Sequence, residues 1–387
     1  MPPTASCERA RRTDKRHCAL PQGRSFTHGR FLHKLRRAAV AQKTTAVAQG
    51  TVTTLVREDE DGPVTGVTVK DGDGNVVTIK AQLTVVADGC FSKFRKQLVA
   101  AAPEKPGHFI GYVIHGCDLP LPEHGNVLLA NPNPVLLYQI ATDEHRILVD
   151  MPGALPSKDG IEKYMLEVVA PQFPKQCLDA FLREVKAGNY KTMPNQNMTP
   201  RDDEWTRGAL LLGDSYNMRH PLTGGGMTVG FGDVVLVREA LRNVPDLGDY
   251  AAVEREIKAF RAKRKPLSAT INILAPALHA VFTGDGPVRA SLREACFEYL
   301  SKGGWFAAGP IGFLSGLDPN PGFLFTHFFF VAFYTMKKLL LPIPTPSGIW
   351  HATKVLKLST DILFPLIAGE RATILAPFLS TVYSCNH

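Results

Sequence analysis

Several things are missing from these 387 residues, and each absence narrows what the chain can be. No C-x-x-C occurs, and the seven cysteines (Cys7, Cys18, Cys90, Cys117, Cys177, Cys296 and Cys385) are odd in number and widely spaced. That argues against a disulfide framework or a zinc site and for a reducing compartment. No apolar stretch follows the basic N-terminus, so it does not read as a secretory signal. No unbroken apolar run exceeds about 14 residues, short of the roughly 20 that cross a bilayer as a helix. Net charge is missing too, once residues 1–37 are set aside. That stretch carries ten Lys/Arg against Glu8 and Asp14 and so accounts for the whole formal charge of +8. A basic segment of this kind could touch nucleic acid or anionic lipid. We read residues 1–24 as a solvated, partly disordered tail and expect no nucleic-acid partner.

The rest has the makings of a folded protein. Its length suits two domains or one large α/β domain, with 44% hydrophobic and 21% charged residues. The apolar spacing of Phe31, Leu32, Leu35, Ala38 and Ala39 predicts a helix over 31–48. Short β runs follow at Val52–Val56, Val64–Lys70, Val76–Lys80 and Leu83–Val86. Between the second and third, Asp71-Gly72-Asp73-Gly74-Asn75 superficially suggests a calcium loop. Its glycine is out of place, and Gln82 stands where a bidentate Glu belongs, so a β-hairpin turn is expected. Alternating runs between residues 109 and 150 predict an antiparallel sheet, and 161–186 a helix-rich stretch. Ala209–Gly213 reads as a buried apolar strand, and 228–242 and 251–265 as helices.

The C-terminal third is greasier. Residues 305–317, 323–336, 355–367 and 372–383 are apolar and broken by Pro, Gly or Lys. Seven aromatics between Phe323 and Tyr334, with His327 among them and Lys337 and Lys338 just after, suit a membrane interface. The expectation is hydrophobic helices lying in one leaflet; a greasy core or a dimer interface would give the same composition.

Two segments carry the chemistry. The first runs from Leu210 to Thr228. An apolar strand ends at Gly213-Asp214, and Pro221-Leu222-Thr223-Gly224-Gly225-Gly226 precedes a helix starting near Met227. Ligands of open α/β sheets sit at the carboxyl ends of strands, where a carboxylate can accept from ribitol or ribose hydroxyls. Glycines let the backbone approach a flat ligand, and a helix N-terminus offers unpaired N–H groups. A glycine-rich loop can also cap a helix with no ligand. The second segment, Leu83 to Arg95, passes from an apolar strand into Asp88-Gly89 and then Ser92, Lys93 and Arg95, which suits a pyrophosphate neighbour or a plain turn.

These G-D and D-G segments resemble the motifs of flavoprotein monooxygenases, and more narrowly those of the squalene epoxidase (squalene monooxygenase) family. Supporting stretches are Ser25–Phe31 with Leu35–Ala39, Leu83–Lys96, Ala130–Ile140, Leu211–Val229, and Asp318–Pro321 with His327–Phe329. The resemblance covers about residues 25–385. It implies a fold, α/β (α+β). The parts would be an FAD-binding Rossmann-like domain of the aromatic-hydroxylase type, an antiparallel β-sheet substrate domain, and C-terminal hydrophobic membrane-associated helices. It implies FAD as cofactor, with Arg36, Val52, Asp88, Gly89, Gly213, Asp214, Gly224, Gly225, Gly226 and Met227 around it. Tyr138, Pro221 and Leu222 would line the reacting edge; on its own, Tyr138 reads as a sheet aromatic. The implied reaction is epoxidation of squalene to (S)-2,3-oxidosqualene in sterol biosynthesis. O₂ would be the oxidant, and an NADPH-dependent reductase the electron donor, at the endoplasmic reticulum membrane, to which the enzyme would be bound monotopically.

One departure bears on all of this. The family's G-x-G-x-x-G turn, which cradles the ADP half of FAD, does not occur in the sequence. The expected FAD-binding domain is therefore incomplete. Its parts would be 25–105 and 200–265, with 106–199 as the substrate sheet and 266–387 as the membrane-associated helices. Two alternatives stay open. One is a catalytically inactive, truncated membrane-bound fragment; the other is a related flavin monooxygenase acting on another apolar substrate.

Overall fold

A computed structural model describes residues 23–202, 204–284 and 286–370. In chain order it begins with α1 (His28–Val40), β1 (Thr51–Arg57), β2 (Val64–Lys70), β3 (Val76–Lys80), β4 (Thr84–Val86) and α2 (Arg95–Leu98). Next come β5 (Glu104–Ile114), β6 (Asn126–Leu128), β7 (Val135–Ala141), β8 (Glu144–Pro152), α3 (Lys158–Tyr164), α4 (Lys175–Ala187) and β9 (Tyr190–Asn197). Then follow β10 (Ala209–Leu211), α5 (Gly226–Leu241), α6 (Tyr250–Phe282), α7 (Pro287–Ser301), α8 (Trp305–Ser315), α9 (Pro321–Leu340) and α10 (Pro346–Glu370). The chain divides into two compact units. One holds Phe26–Lys105 and Gln196–Ser268; the other holds Pro106–Asn195 and the residues from Ala269 on.

In the first unit, β1, β2 and β3 form an antiparallel meander in which Leu55 faces Val67 and Val67 faces Ile79. The β2–β3 turn is the expected hairpin. Asp71 Oδ1 accepts from the backbone N–H of Asp73 (3.0 Å) and Asn75 (2.8 Å), which closes the turn. β3 is an edge strand, and Val76, Val77 and Ile79 are all exposed on it. Beside the meander, β4 and β10 pair in parallel, Thr84 with Ala209 and Val86 with Leu211. β10 is buried on both faces. Ala209 and Leu211 join Leu55, Val64 and Phe94 on one side, while Leu210 joins Val237, Val253 and Phe260 of α5 and α6 on the other. A parallel strand covered on both sides reads as a continuous apolar run, and this one does.

The second unit is built on a five-stranded antiparallel sheet of order β6-β7-β8-β5-β9. Alternation sorts its faces. Val135, Leu137, Ile147 and Val149 pack onto Ile161, Met165, Phe181 and Val185 of the 158–187 helical layer. Tyr138 lies on the opposite face, across from Arg146. Asp150, 1% exposed, accepts from Asn195 Nδ2 on β9 (2.7 Å) and pairs with His279 Nε2 on α6 (2.8 Å). A carboxylate can be carried inside a protein only on such terms. The rest of the unit is a helical layer of α7–α10 with the last turns of α6, its core built by Ile273, Phe313, Leu324, Val355 and Leu363.

The structure departs from the sequence expectations at several points. α1 ends at Val40 and not at Ala48, because β-branched Thr44, Thr45 and Val47 are poor helix formers and no residue of α1 is buried to compensate. α6 runs straight through Pro266 and Pro276, where a stop before Pro266 was expected. Burial of Ala269, Ile271, Ile273 and Ala275 to 1% exposure or less outweighs the lost N–H groups. α7 was not anticipated, although Leu292, Ala295, Cys296 and Tyr299 form a helical stripe behind Pro287. β9 was missed because it is polar and contains Pro194, which only an edge strand tolerates. α9 has 20 residues, with Asn320 capping its start and Lys337 and Lys338 inside its last turn. It is therefore long and apolar enough to cross a membrane by length and composition, which the unbroken run alone did not show. The apolar stretch 372–383 and the tail 1–22 lie outside the described residues.

His327 on α9 is 5% exposed. Its Nδ1 is 2.8 Å from the Tyr299 hydroxyl, and Trp305 stacks on its ring at 4.0 Å. Burial pushes its pKa down to about 4. Between pH 6.5 and about 4 the unfolded chain takes up a proton that the folded imidazole refuses. This contribution to stability is therefore complete above pH 6.5 and is lost as the pH falls. His327→Gln should flatten the acid limb of the stability profile over that interval, as read from urea midpoints measured at pH 4.5, 5.5 and 7.

Candidate functional site

The two loops singled out in the sequence meet in the first unit. β4 delivers Asp88-Gly89 and β10 delivers Gly213-Asp214, and because the strands run parallel and in register, both loops leave from the same end. Arg95 holds them. Its side chain is buried, and its guanidinium donates to four carbonyls. Nε reaches Ser215 O (2.8 Å), while Nη2 reaches Asp214 O (3.0 Å), Cys90 O (3.1 Å) and Gly89 O (3.2 Å). From the sequence, Ser92, Lys93 and Arg95 suited either a pyrophosphate neighbour or a plain turn. The structure instead spends Arg95 on the backbone and Ser92 Oγ on the Arg95 N–H, and the Lys93 N–H donates to Asp88 Oδ2 (3.0 Å). α2 is a single four-residue turn and presents no anion site.

Ser215 completes the joint from below. Its hydroxyl donates to Val86 O (2.7 Å), so the end of β4 and the turn after β10 are hydrogen-bonded directly. What remains free is what a ligand would use. The Asp88 and Asp214 carboxylates are exposed, and Gly213 has φ +67° with open space where a Cβ would stand. The glycine run behaves alike. Pro221–Thr223 is one 3₁₀ turn with Leu222 buried, and the His220 ring accepts from Leu222 N–H. Gly224 turns the chain at φ +64°, Gly225 is the N-cap of α5, and Met227 sits in its first turn. A Cβ on Gly224 or Gly226 would meet nothing within 4 Å. The hydroxyl of Thr223 is buried and has no hydrogen-bond partner among the described residues, which native interiors rarely leave unmet. An exposed carboxylate, a bare glycine backbone, an unmet hydroxyl and a helix start fit a flat, hydroxyl-bearing cofactor such as a flavin.

Behind the loop 213–220 lies a polar network that sequence reasoning missed. Arg264 on α6 and Asp233 on α5 are both buried and joined by two bonds, Nε to Oδ1 at 2.8 Å and Nη2 to Oδ2 at 2.9 Å. Arg264 also reaches Asn217 Oδ1 (3.3 Å), and its guanidinium lies 5.0 Å over the Tyr216 ring. Asn217 in turn accepts from Arg219 Nη2 (2.8 Å). The legible signal was the carboxylate of Asp233, standing among apolar residues and glycines in the first three turns of α5.

The other expected residues are spread more widely. Val52 is half-buried on β1, whose outer edge has no strand partner, and it packs toward the Leu55–Val86 core. Arg36 is exposed on α1, and Phe31 of the same helix meets Phe231 of α5 edge-on at 6.0 Å. Neither Arg36 nor Val52 has a hydrogen bond to the two loops. Tyr138 belongs to the second unit, half-buried, with its hydroxyl pKa raised by burial.

Losing one partner of the Asp233–Arg264 pair leaves a buried charge. Asp233→Ala should cost about 3–5 kcal/mol, and Asp233→Leu with Arg264→Met clearly less, as measured by chemical denaturation.

Comparison with known proteins gives concordant results. The family model described as squalene epoxidase matches residues 80–350. "Squalene epoxidase 2, mitochondrial" of Arabidopsis thaliana is 44% identical over 352 residues, covering 90% of this chain and 60% of that one. Squalene monooxygenase SE1 of Panax ginseng is 46% identical, covering 90% and 65%. Squalene monooxygenase of Mus musculus is 41% identical, covering 91% and 61%. The chain thus spans about three-fifths to two-thirds of the length of these relatives. Among solved structures, Klebsiella pneumoniae HpxO complexed with FAD and uric acid matches at a TM-score of 0.54 and 19% identity, covering 70% of this chain and 67% of that one. The flavin-dependent brominase Bmp2 matches at 0.57 and 16%, covering 76% and 71%. At such identities the likeness is one of fold.

Proposed function

The chain belongs to the squalene epoxidase family, and on that premise we propose that the protein epoxidises squalene to (S)-2,3-oxidosqualene, with FAD as cofactor. One observation carries the reading: the β4 and β10 loops, clamped together by Arg95, present Asp214 and bare glycine backbone beside the start of α5. When bound, FAD supplies the redox chemistry, taking electrons that originate in NADPH through a separate reductase and activating O₂ for transfer of one oxygen atom to an alkene.

The work of this chain is binding, orientation and exclusion of water. In this reading Asp214, with Asp88 beside it, accepts from ribityl hydroxyls, while Gly213 and Gly89 let the backbone close on the cofactor. Gly224, Gly225, Gly226 and Met227 place the α5 N-terminus against the ring system, where its N–H groups stabilise negative charge. Pro221 and Leu222 form the apolar wall at the reacting edge, and Tyr138 contributes from the antiparallel sheet. Arg36 and Val52 serve the outer parts of the cofactor. Squalene has no polar handle, so its recognition rests on shape and apolar contact, and a dry site protects the activated oxygen. No acid–base dyad is required.

Delivery of so insoluble a substrate calls for a membrane, and we assign that contact to the C-terminal helices. Trp305, Phe330, Phe333 and Trp350 are exposed there, large aromatics of the kind that suit a membrane interface. The proposed arrangement is monotopic, at the endoplasmic reticulum.

Asp214→Ala should weaken FAD binding at least tenfold, followed by flavin fluorescence; unchanged affinity would refute the site assignment. With FAD, NADPH, a reductase and detergent-dispersed squalene, the protein should form oxidosqualene. FAD binding without product would favour the catalytically inactive alternative. Trp350→Glu with Phe333→Glu should lower co-sedimentation with phospholipid vesicles several-fold and leave FAD affinity unchanged.

A further inference from the structure

Two cysteines of the second unit stand together although 60 positions separate them. Cys117 lies in the turn that follows β5, half-buried. Cys177 lies in the first turn of α4, fully buried in the core between sheet and helices. The Cys177 thiol donates to the carbonyl of Asp118, the next residue after Cys117, at 3.1 Å. Each sulfur also acts electrostatically on the other, and Cys117 packs against the apolar cluster to which Cys177 belongs. Cys90 and Cys296, the other described cysteines, have no second sulfur acting on them.

We infer that Cys117 and Cys177 are a dithiol that hydrogen peroxide converts reversibly to a disulfide. Exposure sets the order of events. Cys117 is the sulfur that peroxide can reach. Its thiolate displaces hydroxide from H₂O₂, giving the sulfenic acid and, with the released proton, one water. The Cys177 sulfur, held at 3.1 Å from the carbonyl of Asp118, the residue next to Cys117, then attacks the Cys117 sulfur. The S–OH bond breaks, the S–S bond forms, and a second water leaves with the Cys177 proton. In sum, two thiols and one H₂O₂ give one disulfide and two waters, and two electrons pass from the sulfurs to the peroxide. Reduction by a small dithiol reverses the step.

The surroundings also set the pace. Burial raises both thiols above the ordinary cysteine range, Cys177 to about 12, so little thiolate is present at neutral pH. The pair therefore responds to sustained peroxide and ignores brief pulses. The cross-link would tie the end of β5 to α4, closing a loop of about 60 residues around the sheet-and-helix core.

The test uses the full chain, oxidised with excess H₂O₂, alkylated under denaturing conditions and mapped by mass spectrometry. The expected result is a Cys117–Cys177 linked peptide, two mass units below the sum of its parts and abolished by dithiothreitol. In Cys177→Ser, Cys117 should instead be trapped by dimedone as the sulfenic acid. Cys117→Ser, at the more exposed position, should leave Cys177 alkylatable after the same treatment. The inference is overturned if wild-type protein shows no linked peptide while other cysteines oxidise. It is equally overturned if Cys117 passes to the sulfinic acid with Cys177 still a free thiol.

Discussion

A buried guanidinium must be satisfied, and much of the first unit is arranged around doing so. Arg95 finds its acceptors in carbonyls contributed by two segments more than 110 residues apart in the chain. A charged donor to several carbonyls makes stronger hydrogen bonds than neutral pairs do. The separation of the β4 and β10 loops is thereby set from beneath, and the Asp88 and Asp214 carboxylates are left to face outward. The parallel pairing of two three-residue strands would be a weak way to fix these loops without it. Ser215 and the Arg264–Asp233 pair extend the same logic into the layer behind, where Asp233 and Asn217 both accept from Arg264.

How far the sequence revealed this depended on whether a signal was local. Gly213-Asp214 and the three glycines were legible because strand, turn and helix start follow one another in sixteen residues. The antiparallel sheet of the second unit was legible from alternation, and the β2–β3 hairpin of the first from the spacing of Asp71 and Asn75. Arg95 was seen as a residue and misjudged as a role, because nothing local shows that its acceptors come from the other loop. Asp233 and Arg264 were passed over for the same reason, since each looks solvent-directed until its partner is known. The prolines of α6 misled in the other direction. A local rule predicted a break, and burial of the following turns overrode it.

The two units carry different kinds of surface. Carboxylates, glycines and a helix start belong to the first. The exposed aromatics of α8–α10, and the sheet that carries Tyr138, belong to the second. The Cys117–Cys177 contact lies in the second unit, in the core that supports the sheet from the face opposite Tyr138.

The edge strand β3 has a consequence of its own. Its apolar side chains are exposed and one row of its backbone groups has no strand partner among the described residues, the condition under which a sheet recruits another strand. Charge stands guard at both ends, with Lys80 at the finish and Asp71, Asp73 and Lys70 around the turn. Such gatekeepers work by repulsion between like molecules, and repulsion between exposed charges fades as ionic strength rises. The colloidal behaviour of this protein is thus tied to a strand that belongs to a different sheet from β4 and β10. High salt, which leaves the buried pairs almost untouched, is the condition under which that strand would govern how long the protein stays dispersed.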